Sequence, residues 1–304
     1  MDIINQWWTK LYFLLLRPLY KLIFRWISGK CELLRITYSN SSQGDMVNNI
    51  ESSLLQSRNV ELKKCAVSTD LDVAESTERI RVVKNINLES HPRFKISLQD
   101  SLLRIVSYNK LIQSAESRRQ IKFSSENEDH MRKLEKLWDL YNSGRPLPSL
   151  VGSHWTEIGF QGDNPATDFR GMGLLGLEQL MFFSEIYPEQ AQKVLNLSHH
   201  PNYGFSFAIV GINITEMCLT LLIKRRLKSY FYSIEKPSPG LHDFHSVYCH
   251  IFNSFQQHWI AERPKDIMEF GMVRQKYLQH LEIFLTSGDS CATLLTDFSQ
   301  FELK

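Results

Sequence analysis

The sequence contains few cysteines, and they are not arranged in pairs. Five are spread over 304 residues, and no two stand at the spacing of about two to four residues that zinc ligands take. A disulfide framework has no better support, because the number is odd and the spacings are long. We therefore expect a reducing, cytoplasmic compartment. The cysteines are Cys31, Cys65, Cys218, Cys249 and Cys291.

A surplus of charge of one sign is also lacking. The 35 Lys and Arg residues nearly balance the 33 Asp and Glu residues, so the formal net charge is +2. Nucleic-acid-binding domains usually concentrate far more positive charge, so no nucleic-acid partner is expected. The positive charge that exists lies at the amino end, where residues 1–35 contain six basic side chains against Asp2 and Glu32.

Metal-binding patterns are absent as well, although the sequence contains ten histidines. The densest group has the wrong spacing for a His-Glu-x-x-His zinc site, and no cysteine joins it. We therefore expect no metal site. The group comprises His242, Asp243, His245, His250 and His258.

Strand-like alternation of apolar and polar residues is nearly absent, and helical periodicity dominates instead. Apolar residues recur every three or four positions at 244–259 and 267–284, and these stripes predict two helices. Weaker patterns predict helices at about 96–111 and 129–142, and others within 50–90. The predicted fold class is therefore all-α.

Three further segments need separate interpretation. The apolar run 205–222 is long enough to suggest a membrane span, but it contains Asn213 and Glu216, which favour a buried core helix. The polar stretch 37–46 predicts a loop or linker. The tail 286–304 is expected to be loosely ordered.

The amino-terminal segment combines apolar and basic residues. Nearly every side chain between residues 7 and 27 is apolar or aromatic, but four cations interrupt the run at spacings of seven, four and four. On a helix these cations share one face, so we expect the segment to lie on an anionic membrane surface. Packing on the chain's own core and a spanning helix remain alternatives, the latter disfavoured because it would bury cations. The candidate membrane residues are Trp7, Trp8, Lys10, Arg17, Lys21, Arg25 and Trp26.

The densest group of unusual residues lies at 155–177. Five glycines and Pro165 imply tight backbone turns, and the flanking aromatic residues can anchor those turns in a core. A loop of this kind can hold one side chain rigidly, and Arg170 is the side chain that it offers. A helix is expected to follow from about Met172.

The glycines in this stretch also match a nucleotide-binding spacing. Gly171, Gly173 and Gly176 satisfy G-x-G-x-x-G, but the fingerprint requires a buried strand before it, and residues 165–170 do not form one. Close helix packing explains these glycines better. We therefore expect no bound cofactor.

The same stretch contains a pattern of defined residues, which are Trp155, Ile158, Gly159, Phe160, Gln161, Gly162, Pro165, Thr167, Asp168, Phe169, Arg170, Gly171, Met172, Gly173, Leu175, Gly176, Leu177, Leu180 and Phe183. This pattern resembles the signature of the ELMO domain-containing (ELMOD) family. Further similarity at residues 29–33, 200–201, 204–215 and 266–268 extends the resemblance over most of the chain.

This resemblance implies an all-helical, multi-helical ELMO domain and GTPase-activating activity toward Arf and Arf-like small GTPases. The arginine that the family requires for activity corresponds to Arg170, which would act in trans on the γ-phosphate; GTP and Mg²⁺ belong to the partner. Larger ELMO scaffolds add an armadillo-like region, a PH domain and a proline-rich tail. This sequence shows none of these regions and does contain Arg170, so we expect the activator branch of the family. The supporting or partner-binding residues are Trp155, Gly159, Phe160, Gln161, Gly162, Asp168, Phe169, Gly171 and Gly173.

Other interpretations of these residues stay open. Arg170 could form only an intramolecular salt bridge, to Asp168 or Glu157. Asp168 suits a helix cap or a carboxylate that orients the arginine, and Gln161 suits a structural role better than help in orienting water. The rival function is a non-catalytic ELMO-fold adaptor that binds a small GTPase or its regulators.

The predicted organisation has four parts. Residues 1–35 form a basic amphipathic membrane-association segment with an amino-terminal helix, and 36–128 form a helical region. The ELMO domain spans 129–285, and 286–304 is the tail. The expected location is cytoplasmic, partly on the cytosolic face of an organelle membrane.

Overall fold

The computed structural model describes residues 17–142 and 144–286, which are helical with no strand among them, so the predicted all-α class is confirmed. Short 3₁₀ helices span Ser153–Ile158, Pro165–Arg170 and Ile267–Glu269. The α-helices are α1 (Arg17–Ser28), α2 (Glu32–Thr37), α3 (Gln43–Leu55), α4 (Val60–Val67), α5 (Val73–Lys84), α6 (Pro92–Gln120), α7 (Glu128–Tyr141), α8 (Gly173–Ile186), α9 (Pro188–Ser198), α10 (Phe207–Ile223), α11 (Lys228–Ser233), α12 (Leu241–Glu262) and α13 (Phe270–Thr286).

The loop predicted at 37–46 is partly wrong. Helix α3 already begins at Gln43, because the Ser42 hydroxyl accepts a hydrogen bond from the backbone N–H of Asp45 at 3.2 Å. A serine at this position satisfies a backbone donor that the first turn of a helix leaves unpaired. A polar stretch can therefore be a helix start as well as a loop. Of the predicted tail 286–304, Thr286 is the last residue of α13, and residues 287–304 lie outside the described residues.

Residues 1–109 form the first of two compact units, and it is described from residue 17. Helices α4 and α5 begin at side-chain caps: Asn59 accepts from the N–H groups of Glu61 and Leu62, and Asp72 accepts from that of Glu75. Apolar side chains from α2 to α6 fill its core. They include Leu34, Val47, Ile50, Leu54, Leu62, Ile80, Phe94, Leu98 and Leu102.

Residues 110–304 form the second unit, and its central element is α8. Helices α7, α9, α10 and α12 all pack against α8. Both α8 and α10 are apolar on nearly every side, which is the pattern of helices surrounded by protein. Phe252 of α12 packs against Phe183 of α8 and Phe207 of α10, with ring centroids 5.3 and 5.4 Å apart. The domain bounds inferred from the sequence stay a prediction.

The core helix expected at 205–222 is present as α10. Its polar residues are satisfied from α13, because Arg274 donates to Asn213 at 3.0 Å and pairs with Glu216 at 2.9 Å. Across the described part of the chain, no helix has both the length and the apolar character needed to cross a bilayer.

Helix α12 carries a histidine, His245, whose imidazole is buried. His245 packs against Phe182 with ring centroids 5.3 Å apart, and its Nδ1 meets no hydrogen-bond partner among the described residues. Burial lowers the pKa of His245 to about 4, and the nearby charges of His242 and Arg118 act in the same direction. The ring is therefore neutral at physiological pH.

We predict that mild acid destabilises this unit through His245. The unfolded chain binds the proton near pH 6.5, whereas the folded chain binds it only near pH 4, so the free energy of unfolding falls as pH decreases below 6.5. The expected loss from this group at pH 5 is about 2 kcal/mol. Urea denaturation at pH 7 and pH 5 measures it. His245→Leu should reduce the loss, and the exposed control His199→Gln should not; equal pH dependence in all three proteins would contradict the prediction.

Candidate functional site

Arg170 is the last residue of the 3₁₀ helix Pro165–Arg170, and its side chain is exposed. That helix begins where Asn164 accepts a hydrogen bond from the N–H of Ala166 at 3.1 Å. The Nε of Arg170 donates to the backbone oxygen of Thr167 at 2.9 Å. Its terminal nitrogens have no partner among the described residues. The arginine is thus held near its middle and open at its tip.

The intramolecular salt bridge suggested for Arg170 is not formed with Glu157. Glu157 instead accepts two hydrogen bonds from Arg145, at 2.8 and 2.9 Å. The guanidinium of Arg145 also lies 5.1 Å from the ring centroid of Trp138. The hydrogen bonds from Arg145 lower the pKa of the Glu157 carboxyl. Sequence reasoning missed Arg145, because no regular spacing links it to Glu157.

Asp168 does not cap a helix, contrary to one expectation; Asn164 has that role. The carboxylate of Asp168 accepts a hydrogen bond from the backbone N–H of Gln161 at 2.8 Å, and no ion pair between Asp168 and Arg170 is found among the described residues. Partial burial raises the pKa of Asp168, while the Gln161 N–H and the charge of Arg170 oppose the rise. Asp168 thereby ties the exposed turn at 161–162 to the helix that carries the arginine.

Aromatic side chains anchor the loop from below. Trp155, Phe160 and Phe169 are buried, as the sequence predicted. Their rings meet edge to face, with centroids 5.6 Å apart for both Trp155–Phe160 and Phe160–Phe169, a favourable arrangement for aromatic pairs. Trp155 also packs on Trp138 at 5.5 Å and donates from Nε1 to Leu150 at 3.1 Å. The polar tip of the buried indole is therefore satisfied.

Two glycines let the loop approach other elements closely. Gly159 has φ +76°, and a Cβ there would lie 2.1 Å from the backbone nitrogen of Phe207. Its carbonyl accepts from the N–H of Ile209 at 3.2 Å, so the loop docks on the first turn of α10. Gly173 has φ +51° and lies against the backbone oxygen of Arg119 in the same way. By contrast, the surroundings of exposed Gly171 are open.

The structure describes only part of the segment that the sequence predicts to associate with a membrane. Trp7, Trp8 and Lys10 lie outside the described residues. Helix α1 carries Arg17, Lys21 and Arg25 at four-residue spacing, and Trp26 is 89% exposed. Other large apolar side chains of α1 are exposed as well. They are Leu19, Tyr20, Ile23, Phe24 and Ile27.

Arg170 lies on open surface. An open groove of about 420 Å³ lies on the same unit, but Arg170 does not line it. No three side chains among the described residues converge as metal ligands would. The groove is lined by Tyr141, Asn142, Glu157, Ile158, Gln192, Leu195, Asn196 and His199.

Fold and site together define an all-α domain that presents an arginine on a rigid surface turn. The ELMO/CED-12 family model matches residues 113–274, and the chain belongs to this family. It is 41% identical to mouse (Mus musculus) ELMO domain-containing protein 1, over 86% of this chain and 85% of that protein. It is 39% identical to ELMO domain-containing protein 2 of Bos taurus, over 90% of this chain and 93% of that protein. It is 32% identical to ELMO domain-containing protein B of Dictyostelium discoideum, over 85% of this chain and 91% of that protein.

We predict that Gly159 and Gly162 respond differently to the same substitution. Both have positive φ, so Gly159→Ala and Gly162→Ala should each lose about 1–2 kcal/mol of stability to backbone strain. The new methyl at 159 also meets the backbone of α10, which adds about 1–3 kcal/mol, whereas the space around Gly162 is open. Urea denaturation compares them. Equal losses would mean that the loop does not dock on α10 as described.

Proposed function

We propose that this protein is a GTPase-activating protein for Arf and Arf-like small GTPases, and that it inserts Arg170 into the partner's nucleotide site. Membership of the ELMO/CED-12 family supports a role linked to small GTPases. The observation that carries the finer proposal is the exposed guanidinium, whose terminal nitrogens have no partner among the described residues.

The chemistry of GTP hydrolysis suits such a group. Phosphoryl transfer spreads negative charge over the γ-phosphate oxygens, and an arginine supplied in trans raises the rate by about 10³–10⁵. Guanidinium is permanently charged, and its planar fork matches phosphate oxygens. The partner GTPase supplies the bound GTP, the Mg²⁺ and the residue that orients the attacking water.

Rigidity of the loop contributes to this role. An arginine that is already oriented loses less conformational entropy when it binds, and it meets the developing charge without rearrangement. Here the orientation comes from the Thr167 carbonyl, which holds Nε, and from the contact of Asp168 with the N–H of Gln161. Gln161 itself is exposed and serves the turn through its backbone N–H, which donates to Asp168.

We predict that Arg170→Ala and Arg170→Lys both abolish most of the stimulation. Lysine keeps the charge but lacks the fork, so a loss of at least about 10²-fold is expected for it and about 10³–10⁵-fold for alanine. Single-turnover GTP hydrolysis on a panel of Arf and Arf-like GTPases measures both. Arg132→Ala is the matched control, because Arg132 is an exposed arginine of α7 that pairs only loosely with Asp129, at 3.7 Å.

The alternative is an ELMO-fold adaptor that binds the GTPase without accelerating hydrolysis. The same exposed loop could form its contact surface. Wild type, Arg170→Ala and Arg170→Lys would then leave the hydrolysis rate at its unstimulated value while binding persisted. That result would replace the enzymatic proposal with the adaptor.

Membrane attachment through the amino-terminal helix completes the proposal. The exposed apolar side chains of α1 suit the headgroup boundary of a bilayer, and Arg17, Lys21 and Arg25 suit anionic lipid. This placement would bring the protein from the cytoplasm to the cytosolic face of an organelle membrane, where a membrane-bound GTPase would meet it.

We predict that the Phe24→Asp, Trp26→Asp double variant binds anionic vesicles more weakly than wild type. Both side chains are exposed, so the change removes apolar area and adds negative charge. It also removes the contact of the Phe24 ring with the guanidinium of Arg35, which lies 5.1 Å from the ring centroid. Co-sedimentation with phosphatidylserine-containing vesicles measures the effect. Val82→Asp, Val83→Asp is the control, because these exposed valines lie on α5. Equal binding by both double variants would remove α1 from the membrane proposal.

A further inference from the structure

The segment that joins α6 to α7 packs against the loop that carries the exposed arginine. The carbonyl of Ile121 accepts a hydrogen bond from the backbone N–H of Leu174 at 3.0 Å. The ring of Phe123 contacts the ring of Phe169, with centroids 5.7 Å apart. Lys122 stands in the chain between these two contacts, so its backbone is held beside the arginine loop.

Further contacts keep this segment in place. The backbone N–H of Ser124 donates to Nδ1 of His130 at 3.1 Å, which ties the segment to α7. On the other side Gly173 allows a close approach, because a Cβ there would lie 2.5 Å from the carbonyl oxygen of Ile121. The backbone at Lys122 therefore has a fixed position relative to the loop.

These contacts limit the distance between Lys122 and Arg170. Residues 170–173 form one tight turn, and Gly173 meets the carbonyl of the residue before Lys122. The Cα atoms of Lys122 and Arg170 therefore lie within about 15 Å of each other. A standard protein–protein interface buries about 800 Å² on each partner, which is a patch roughly 30 Å across. A partner centred on Arg170 therefore also covers Lys122.

The charge of Lys122 is left without a carboxylate. Its side chain is exposed and forms no ion pair with any of the described residues. By contrast Arg119, in the last turn of α6, donates to Glu116 at 2.8 Å. Lys122 and Arg170 are thus two exposed cations on neighbouring segments, and neither charge is paired within the described part of the chain.

Exposed apolar area accompanies these cations. Ile121 is 40% exposed although its backbone is bound to α8, and the surroundings of Gly171 are open. Protein–protein interfaces combine apolar contact area with a polar rim. A free phosphate or nucleotide would use the cations but would leave Ile121 in water. A protein partner therefore fits this surface better than a small anion.

We propose that Lys122 is a positioning residue for the partner GTPase, and that it pairs with a carboxylate at the rim of the nucleotide site that Arg170 enters. This inference rests on the proposed function, because it takes the partner to be a small GTPase. An exposed ammonium at a rim acts on encounter and affinity, since Coulomb attraction steers the partner while solvent screens the final pair. Lys122 should therefore control how readily the partner binds, and Arg170 how fast the bound GTP is hydrolysed.

A titration of the full chain in single-turnover GTP hydrolysis, on the same panel of Arf and Arf-like GTPases, separates these roles. Lys122→Glu removes one attraction and adds a repulsion, so it should raise the half-maximal concentration by about 5–25-fold. The maximal rate should stay within about twofold of wild type, whereas Arg170→Ala should lose that rate. Lys122→Arg keeps the charge and should restore the half-maximal concentration.

Lys224→Glu is the matched control for this titration. It makes the same change in net charge at an exposed lysine directly after α10. The arginine loop docks on the first turn of that helix, about 20 Å away along its axis. This variant should titrate as wild type does.

Binding without turnover gives the second measurement. Biolayer interferometry with the same GTPases, loaded with a non-hydrolysable GTP analogue, reports the association and dissociation rates. Lys122→Glu should slow association about fivefold or more relative to Lys224→Glu. An increase of NaCl from about 0.05 to about 0.5 M should shrink this difference, because ions screen exposed charges.

Three outcomes would overturn the proposal. The first is equal association and equal half-maximal concentration for Lys122→Glu and Lys224→Glu, and the second is a loss that Lys122→Arg does not restore. The third is absence of binding by wild type itself. Binding does not require hydrolysis, so dependence of binding on Lys122 without any stimulation would contradict only the GTPase-activating proposal. Stimulation that is indifferent to Lys122 would contradict only this inference.

Discussion

The contact between the Gly159 backbone and the first turn of α10 is the constraint on which the site depends. Two backbones approach so closely there that no side chain fits between them, and a carbonyl of the loop pairs with an N–H of the helix. Backbone contacts of this kind vary little in geometry, because neither partner can change rotamer. The buried helix α10 therefore holds the loop in a fixed position. The contacts between the aromatic rings, and the hydrogen bond that Asp168 accepts, then fix the short helix that carries Arg170.

The helices were predictable wherever burial imposes a period. Apolar stripes located α6, α7, α12 and α13, because a helix must turn its apolar side chains toward the core, and a long apolar run located α10. Capping is less visible in a sequence, since Ser42 reads equally well as part of a loop. The start of the last helix shows the same difficulty. Pro264 suits a first helical residue, yet Asp266 caps a short 3₁₀ turn before α13 begins at Phe270.

Parts of the site were predictable in kind and others were not. Composition indicated a rigid, aromatic-anchored turn, and the aromatic residues are buried as expected. The partners of the charged groups could not be inferred, because pairing depends on where loops meet in space. Glu157 was a candidate partner for the arginine but pairs with Arg145, and Asp168 receives a backbone N–H instead of a cation.

The hydrogen bond that holds the Arg170 side chain limits the effect of substitutions at Thr167. The acceptor for its Nε is a main-chain carbonyl, and every amino acid that keeps the local helical turn provides that same oxygen. Replacement of Thr167 can thus alter the outer surface of the turn without redirecting the guanidinium. Substitutions around Arg170 can therefore change the surrounding surface to suit different partners, while the guanidinium keeps its direction.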